Sequence, residues 1–214
     1  MGSSSITRLV YRFNCVCTLD CLISICLIVI ITALEPNDSI RAVYSRPFKL
    51  VYNVTLGEQQ LSSVLRVENT SQQDTLEFQA LLHNYIRAPA DEVRITPLKG
   101  LAYYDKTEST DQSRTTPKTE EREEVNVSEY TDSVYEDGPL KYKVSWPDWF
   151  LNINVKNFKD VVVWNPQQEG RKIGDMELDG WYVSSFIYEQ TDNLMTKEKI
   201  RLCGTGICQR ICAT

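Results

Sequence analysis

Between Cys26 and Cys203 the chain has no cysteine, and in all 214 residues it has one histidine, His83. The single histidine excludes a metal site rich in histidine and any mechanism that needs two. The 7 cysteines fall at the two ends, as Cys15, Cys17, Cys21 and Cys26, and as Cys203, Cys208 and Cys212. An odd count split this way is not a disulfide framework. The spacings also lack the paired C-x2-C pattern that signals structural zinc. An excess of basic charge is missing too: 23 Lys and Arg stand against 29 Asp and Glu, for a net charge of −6. A general nucleic-acid binder, which needs a basic face, is thereby excluded. The body has no convincing helical periodicity and no internal repeat.

Long hydrophobic runs are also scarce. Leu22 to Leu34 reads LISICLIVIITAL, apolar except for Ser24 and Thr32, with Arg8 and Arg12 upstream and Asp20 blocking extension. A membrane-spanning helix needs about 20 apolar residues. A signal-peptide core of about 7–15 residues fits better. Sequons at Asn53, Asn69 and Asn126 would suit a secreted protein. The cysteine-free body suits a reduced compartment instead. A third reading is a misread gene start joined to a cytosolic domain. The expectation is a cytoplasmic protein. The alternative is secretory or membrane association through Leu22–Leu34.

What the chain does have is alternation. Phe48, Leu50, Tyr52, Val54 and Leu56 recur at period two, which means a strand with one face buried. Gly57 and Glu58 turn the chain, and Leu61, Leu65 and Val67 continue a second strand to Asn69. This is a hairpin. A third strand runs from about Leu76 to Ile86. Val93–Ile95, Val125–Val127, Tyr142–Trp146, Leu151–Val155 and Val161–Trp164 are further short candidates. The fold class expected is mainly β, an antiparallel sandwich or barrel. Asp105 to Glu124 is rich in Thr, Ser, Lys and Glu. It is expected to be a long exposed loop or a partly disordered insertion, with the charges from Glu120 to Glu124 as solvated surface.

The third strand carries the candidate chemistry. Leu76, Phe78, Ala80, Leu82 and Ile86 should face the core, and Glu77, Gln79, His83, Tyr85 and Arg87 the other way. A lone histidine is more often structural or simply exposed than catalytic. A polar sheet face with Gln, His, Tyr and Arg does suit a sugar, whose hydroxyls need donors and acceptors and whose ring packs on aromatics.

Leu81-Leu82-His83-Asn84-Tyr85 resembles the L-L-H-x-Y signature of the glucose-6-phosphate 1-epimerases, hexose-6-phosphate mutarotases of the aldose 1-epimerase family. Further motifs follow the family's order. They are F-K-L-V-Y-x-V-T-L from Phe48, G-L-x-Y-x-D-K from Gly100 to Lys106, T-D-x-V-Y from Thr131 to Tyr135, V-V-W-N-P from Val162 to Pro166, and D-M-x-x-x-G-W from Asp175 to Trp181. The resemblance covers Arg41 to Trp181 and is greatest to plant members, around R-A-V-Y-S-R-P-F-K-L.

The resemblance implies an antiparallel β-sandwich of the galactose-mutarotase type. It implies interconversion of the α and β anomers of a hexose 6-phosphate by acid–base ring opening, with no metal or cofactor. It makes His83 the catalytic acid and Asp132 a substrate-contacting carboxylate whose bland alternative is a surface turn. Gln79 and Tyr85 become substrate-binding candidates beside His83. Trp164 lines the cleft or belongs to the core. Arg87 is tempting by charge, but the family's phosphate-binding arginines lie upstream of every matched motif. The implied partner is a small-molecule hexose phosphate, with no nucleic acid, no membrane and a monomeric state expected.

Two parts of the family pattern are not matched. The early half of the sandwich should precede Arg41, and the base Glu should follow Trp181 in a Y-V-C-V-E-P-G run. Here the chain reads Y-V-S-S-F-I-Y-E-Q from Tyr182, with Glu189 the nearest carboxylate. The segment from Ile200 to Cys212, IRLCGTGICQRIC, permits Y-V-C-V-E-P-G-Y-V-R-G-F-V when read one nucleotide later. The expected Glu would then straddle the codons of Gly204 and Thr205. This suggests retained non-coding sequence and a frame-shifted exon. A transcript across Trp181 should show a shorter spliced form; only an in-frame message would refute the idea. The expected divisions are 1–40 as a foreign tail, 41–181 as a partial epimerase-like domain and 182–214 as an unmatched tail. The alternative function is a catalytically impaired carbohydrate-binding fragment.

Overall fold

The computed structural model describes residues 8–16, 25–57, 59–167, 181–190 and 206–213. The described chain is mainly antiparallel β. It divides into two compact units: Met1–Phe78 with Asn154–Asn157 and Gln190–Thr214, and Gln79–Ile153 with Phe158–Glu189.

The first unit holds β1 (Arg8–Val16), β2 (Ile25–Leu34), α1 (Asp38–Val43), β3 (Phe48–Leu56), β4 (Gln60–Asn69) and, from the far end of the chain, β14 (Gly206–Ala213). The alternating run and its turn form the expected hairpin, with β3 and β4 antiparallel and Leu56 opposite Leu61. The apolar run read as a signal-type segment is strand β2 here, paired antiparallel with β3 from Ile28↔Leu56 to Leu34↔Leu50. A short apolar run reads equally well as a targeting core or a buried strand, and only a pairing partner separates them. Among the described residues no helix is long and apolar enough to cross a membrane. Strand β14 runs parallel to β4, from Gly206↔Gln60 to Ala213↔Val67. Helix α1 is a single capped turn and a half: Asn37 accepts from the Ile40 N–H at 2.9 Å, with Asp38 first and Arg41 last along the dipole. The side-chain amide of sequon residue Asn69 is engaged, with Nδ2 donating to the Asp74 carbonyl at 2.8 Å and Oδ1 accepting from Ser71 N–H at 3.0 Å.

The second unit holds β5 (Phe78–Arg87), β6 (Arg94–Thr96), β7 (Ala102–Asp105), α2 (Asp111–Arg114), β8 (Lys118–Thr119), β9 (Thr131–Tyr135), β10 (Lys141–Trp146), β11 (Trp149–Lys156) through Ile153, β12 (Asp160–Asn165) and β13 (Trp181–Gln190). One of its sheets has the order β5-β13-β12-β9-β7-β8, and β11, β10 and β6 lie side by side in the other. Both give alternate residues to one core. Val161 and Val163 of β12 and Tyr135 of β9 are buried from the first sheet; Ile95, Tyr142, Val144 and Ile153 are buried from the second. This is a sandwich, built as period-two patterning demands. Burying these side chains removes mostly Val and Ile from water, each worth about 1.5–3 kcal/mol.

The stretch Asp105–Glu124 is not the structureless loop expected. It contains the end of β7, α2 and β8. Thr110 caps α2 in a reciprocal capping box with Ser113. Lys118 bridges Asp105 at 2.9 Å and Glu108 at 2.5 Å. Glu120, expected as solvated surface, is only 3% exposed. Its carboxylate accepts from the Tyr135 hydroxyl at 2.6 Å and from Arg122 Nε and Nη2 at 2.8 and 2.7 Å. Composition alone missed this because a buried carboxylate is signalled by its partners, and one of them, Tyr135, lies on another strand. Gly100, in the G-L-x-Y-x-D-K motif, has φ +84 and donates its N–H to the Glu120 carbonyl at 2.7 Å. A residue with a Cβ would be strained there.

Candidate active site

Strand β5 alternates as its sequence dictates. Gln79, Leu81, His83 and Tyr85 are exposed; Phe78, Ala80, Leu82 and Asn84 are half-buried and Ile86 is buried. Gln79, Leu81, His83 and Tyr85 therefore line the outer face of the sheet, and Phe78, Ala80, Leu82, Asn84 and Ile86 the core side. Tyr85 leaves 49% of its surface open, enough for a ring to stack on it.

Asp132 and Trp164 come together on the same sheet. Strands β9 and β12 are antiparallel, and their register sets Asp132 directly opposite Trp164. Trp164 lies between buried Val163 and buried Asn165, so its half-buried indole belongs to the outer face. That decides against the core alternative. Asn165 anchors this end of β12, donating from Nδ2 to the Val127 carbonyl at 3.2 Å. Burial pushes the Asp132 carboxyl above the ordinary carboxylate value; Lys106 opposes the shift and Asp105 adds to it.

All five residues named from the sequence thus share one face of one sheet. Strand β13 separates β5 from β12, and β9 follows β12. At about 4.8 Å per strand, the His83 strand is about 10 Å from the Trp164 strand and about 14 Å from the Asp132 strand.

Glu189 is not brought to the Asp132–Trp164 pair. The β12–β13 register sets Val183 opposite Trp164 and Ile187 opposite Asp160. Position 189 therefore lies about 20 Å along β13 from the Asp132–Trp164 pair, at about 3.4 Å per residue. The side chain of Arg87 and most of the D-M-x-x-x-G-W run lie outside the described residues.

The sequence reading missed Lys106 and Tyr104, although both stand in the G-L-x-Y-x-D-K motif. Tyr103 stacks on buried Tyr135 with ring centroids 5.1 Å apart, which leaves Tyr104 on the outer face. Lys106 Nζ sits 5.0 Å from the Tyr104 ring centroid. Period-two alternation over Tyr103–Lys106 was the available signal.

A model of the aldose 1-epimerase family matches residues 25–192. The chain belongs to the aldose 1-epimerase family. The match is wider at both ends than the 41–181 read from motifs, and it takes in β2 and β13. This family member is also similar in fold to solved structures. A protein of Salmonella typhimurium assigned as a mutarotase shares 16% identity at a TM-score of 0.64, over 76% of this chain and 54% of that one. A galactose mutarotase related enzyme from Lactobacillus acidophilus shares 15% at 0.60, over 78% and 58%. A galactose mutarotase-like protein from Lactobacillus casei shares 12% at 0.56, over 83% and 61%. The epimerase-family chain therefore spans a little over half the length of these proteins. At such identities the likeness establishes the fold, a galactose-mutarotase type of β-sandwich.

Proposed function

We propose that the outer sheet face binds a hexose 6-phosphate and serves a hexose-6-phosphate 1-epimerase reaction. The observation that carries this reading is that the one histidine, His83, shares its sheet face with Asp132 and Trp164. In the reaction, the His83 imidazolium gives a proton to the ring oxygen as its bond to C1 breaks. A carboxylate takes the proton of the anomeric hydroxyl, leaving a carbonyl at C1. Rotation about C1–C2 and ring closure on the other carbonyl face, with both proton transfers reversed, gives the other anomer. Only protons move, so no cofactor is required. Asp132 accepts from the sugar hydroxyls, Gln79 adds a donor and an acceptor, and Tyr85 and Trp164 supply aromatic surface.

The test is polarimetry of freshly dissolved α-glucose 6-phosphate with the purified chain. Acceleration over the uncatalysed rate supports the reading, and none overturns it. A second reading, carbohydrate binding without turnover, is favoured by the distance along β13 between Glu189 and the Asp132–Trp164 pair. It predicts sugar binding that Asp132→Ala weakens by about tenfold or more, with no acceleration of mutarotation.

A further inference from the structure

Asp132 has a second cross-strand neighbour besides Trp164. Strand β7 pairs with β9 through Asp105↔Ser133, and the next residue, Lys106, donates its backbone N–H to the Asp132 carbonyl at 2.7 Å. Lys106 and Asp132 are therefore opposite positions on one face, with Cβ atoms expected about 5 Å apart. Asp132 thus has Lys106, the residue after β7, across the ladder on one side and Trp164 of β12 on the other. The ammonium is also held in place. Lys106 Nζ donates to the Arg114 carbonyl at 3.1 Å and lies over the Tyr104 ring at 5.0 Å. A lysine fixed by a carbonyl and a ring has already lost most of the side-chain freedom that binding would otherwise cost. Its third proton can still point toward a ligand.

We propose that Lys106 is a specificity-determining residue of the sugar site, acting with Asp132 as a donor–acceptor pair on the substrate hydroxyl that lies over β9. This deepens the hexose-binding reading and rests on it. Asp132 accepts the hydroxyl proton, and Lys106 donates to the same oxygen. A hydroxyl held from both sides is fixed in direction, which distinguishes epimers at that carbon. Lys106 has a second role, as the positive charge that favours the ionised form of a half-buried carboxylate. On β7, Asp105 works against it, though Lys118 holds Asp105 at 2.9 Å; on β12, Trp164 carries no charge.

The test compares Lys106→Met, Lys106→Arg and the unaltered chain, with glucose 6-phosphate binding followed by calorimetry from pH 4 to pH 8. We expect Lys106→Met to bind about tenfold more weakly at pH 7. Its affinity should also fall off at a higher pH on the acid side, because Asp132 loses the charge that keeps it ionised. Lys106→Arg should restore most of both. A purely structural lysine would move affinity without moving the acid limb. Equal binding by the Met variant, or an unshifted acid limb, overturns the Lys106 proposal and leaves the sugar-site reading standing. Failure of the unaltered chain to bind overturns both.

Discussion

Replacing His83 with alanine should lower the acceleration of α-glucose 6-phosphate mutarotation by about 10²–10⁴-fold, the usual contribution of one general acid. The size follows from the step proposed for His83. Breaking the bond between the ring oxygen and C1 without a proton donor places developing negative charge on that oxygen. Water can supply a proton, but not one held at the right atom. The substitution should leave the fold intact, because His83 is an exposed position on β5 whose core-side neighbours are Leu82 and Asn84. The informative pair of measurements is therefore rate and melting temperature. A rate unchanged in His83→Ala would remove histidine from the mechanism. A rate lost together with the melting transition would show a structural role instead.

The largest stability effect is expected at Glu120→Ala. This carboxylate is 3% exposed. It accepts from the Tyr135 hydroxyl, from two nitrogens of the Arg122 side chain and from the Arg122 backbone N–H at 3.0 Å. Removing it strands a hydroxyl on Tyr135, which is fully buried. Half-exposed Arg122 can turn to water, so the cost is smaller than for a fully buried pair: about 3 kcal/mol. For a chain of this size that lowers the melting temperature by about 6–12 °C. Tyr135→Phe, which keeps the ring and removes only the hydroxyl, should cost about 1 kcal/mol.

The pH dependence has a definite sign. Burial pushes the Glu120 carboxyl up, but the hydrogen bonds from Arg122 and Tyr135 outweigh it and hold the group below its ordinary value. A lowered carboxylate stabilises the fold above the unfolded value of about 4.3, and that stabilisation is lost as pH falls through the lowered folded value. The gap between the parent chain and Glu120→Gln should therefore be full at pH 7 and narrow below about pH 4. A gap independent of pH would mean that the ionised carboxylate is not what stabilises the fold.

Much of this was legible along the chain. The period-two run from Phe48, its turn and its return strand became β3 and β4 with the expected ends. The alternation from Phe78 to Ile86 gave the two faces of β5 correctly, His83 included. Local pattern suffices there because a strand's side-chain period is a backbone property. Two elements misled it for opposite reasons. The apolar run before Glu35 carried no mark to separate a targeting core from strand β2. The polar run before Val125 hid a buried carboxylate, because composition does not say which charge has partners.

Sequence by itself determined the period, the faces, the single histidine and the family motifs. The tertiary structure decided the neighbours. It set Trp164 and Lys106 on either side of Asp132, placed Glu120 under Tyr135, put Glu189 far along β13, and brought Cys15 opposite Cys26 in the β1–β2 register. The physical reason is that strand pairing is non-local. Which residue lies across a ladder depends on the register of two segments that can be far apart in the chain, and neither segment carries that register alone.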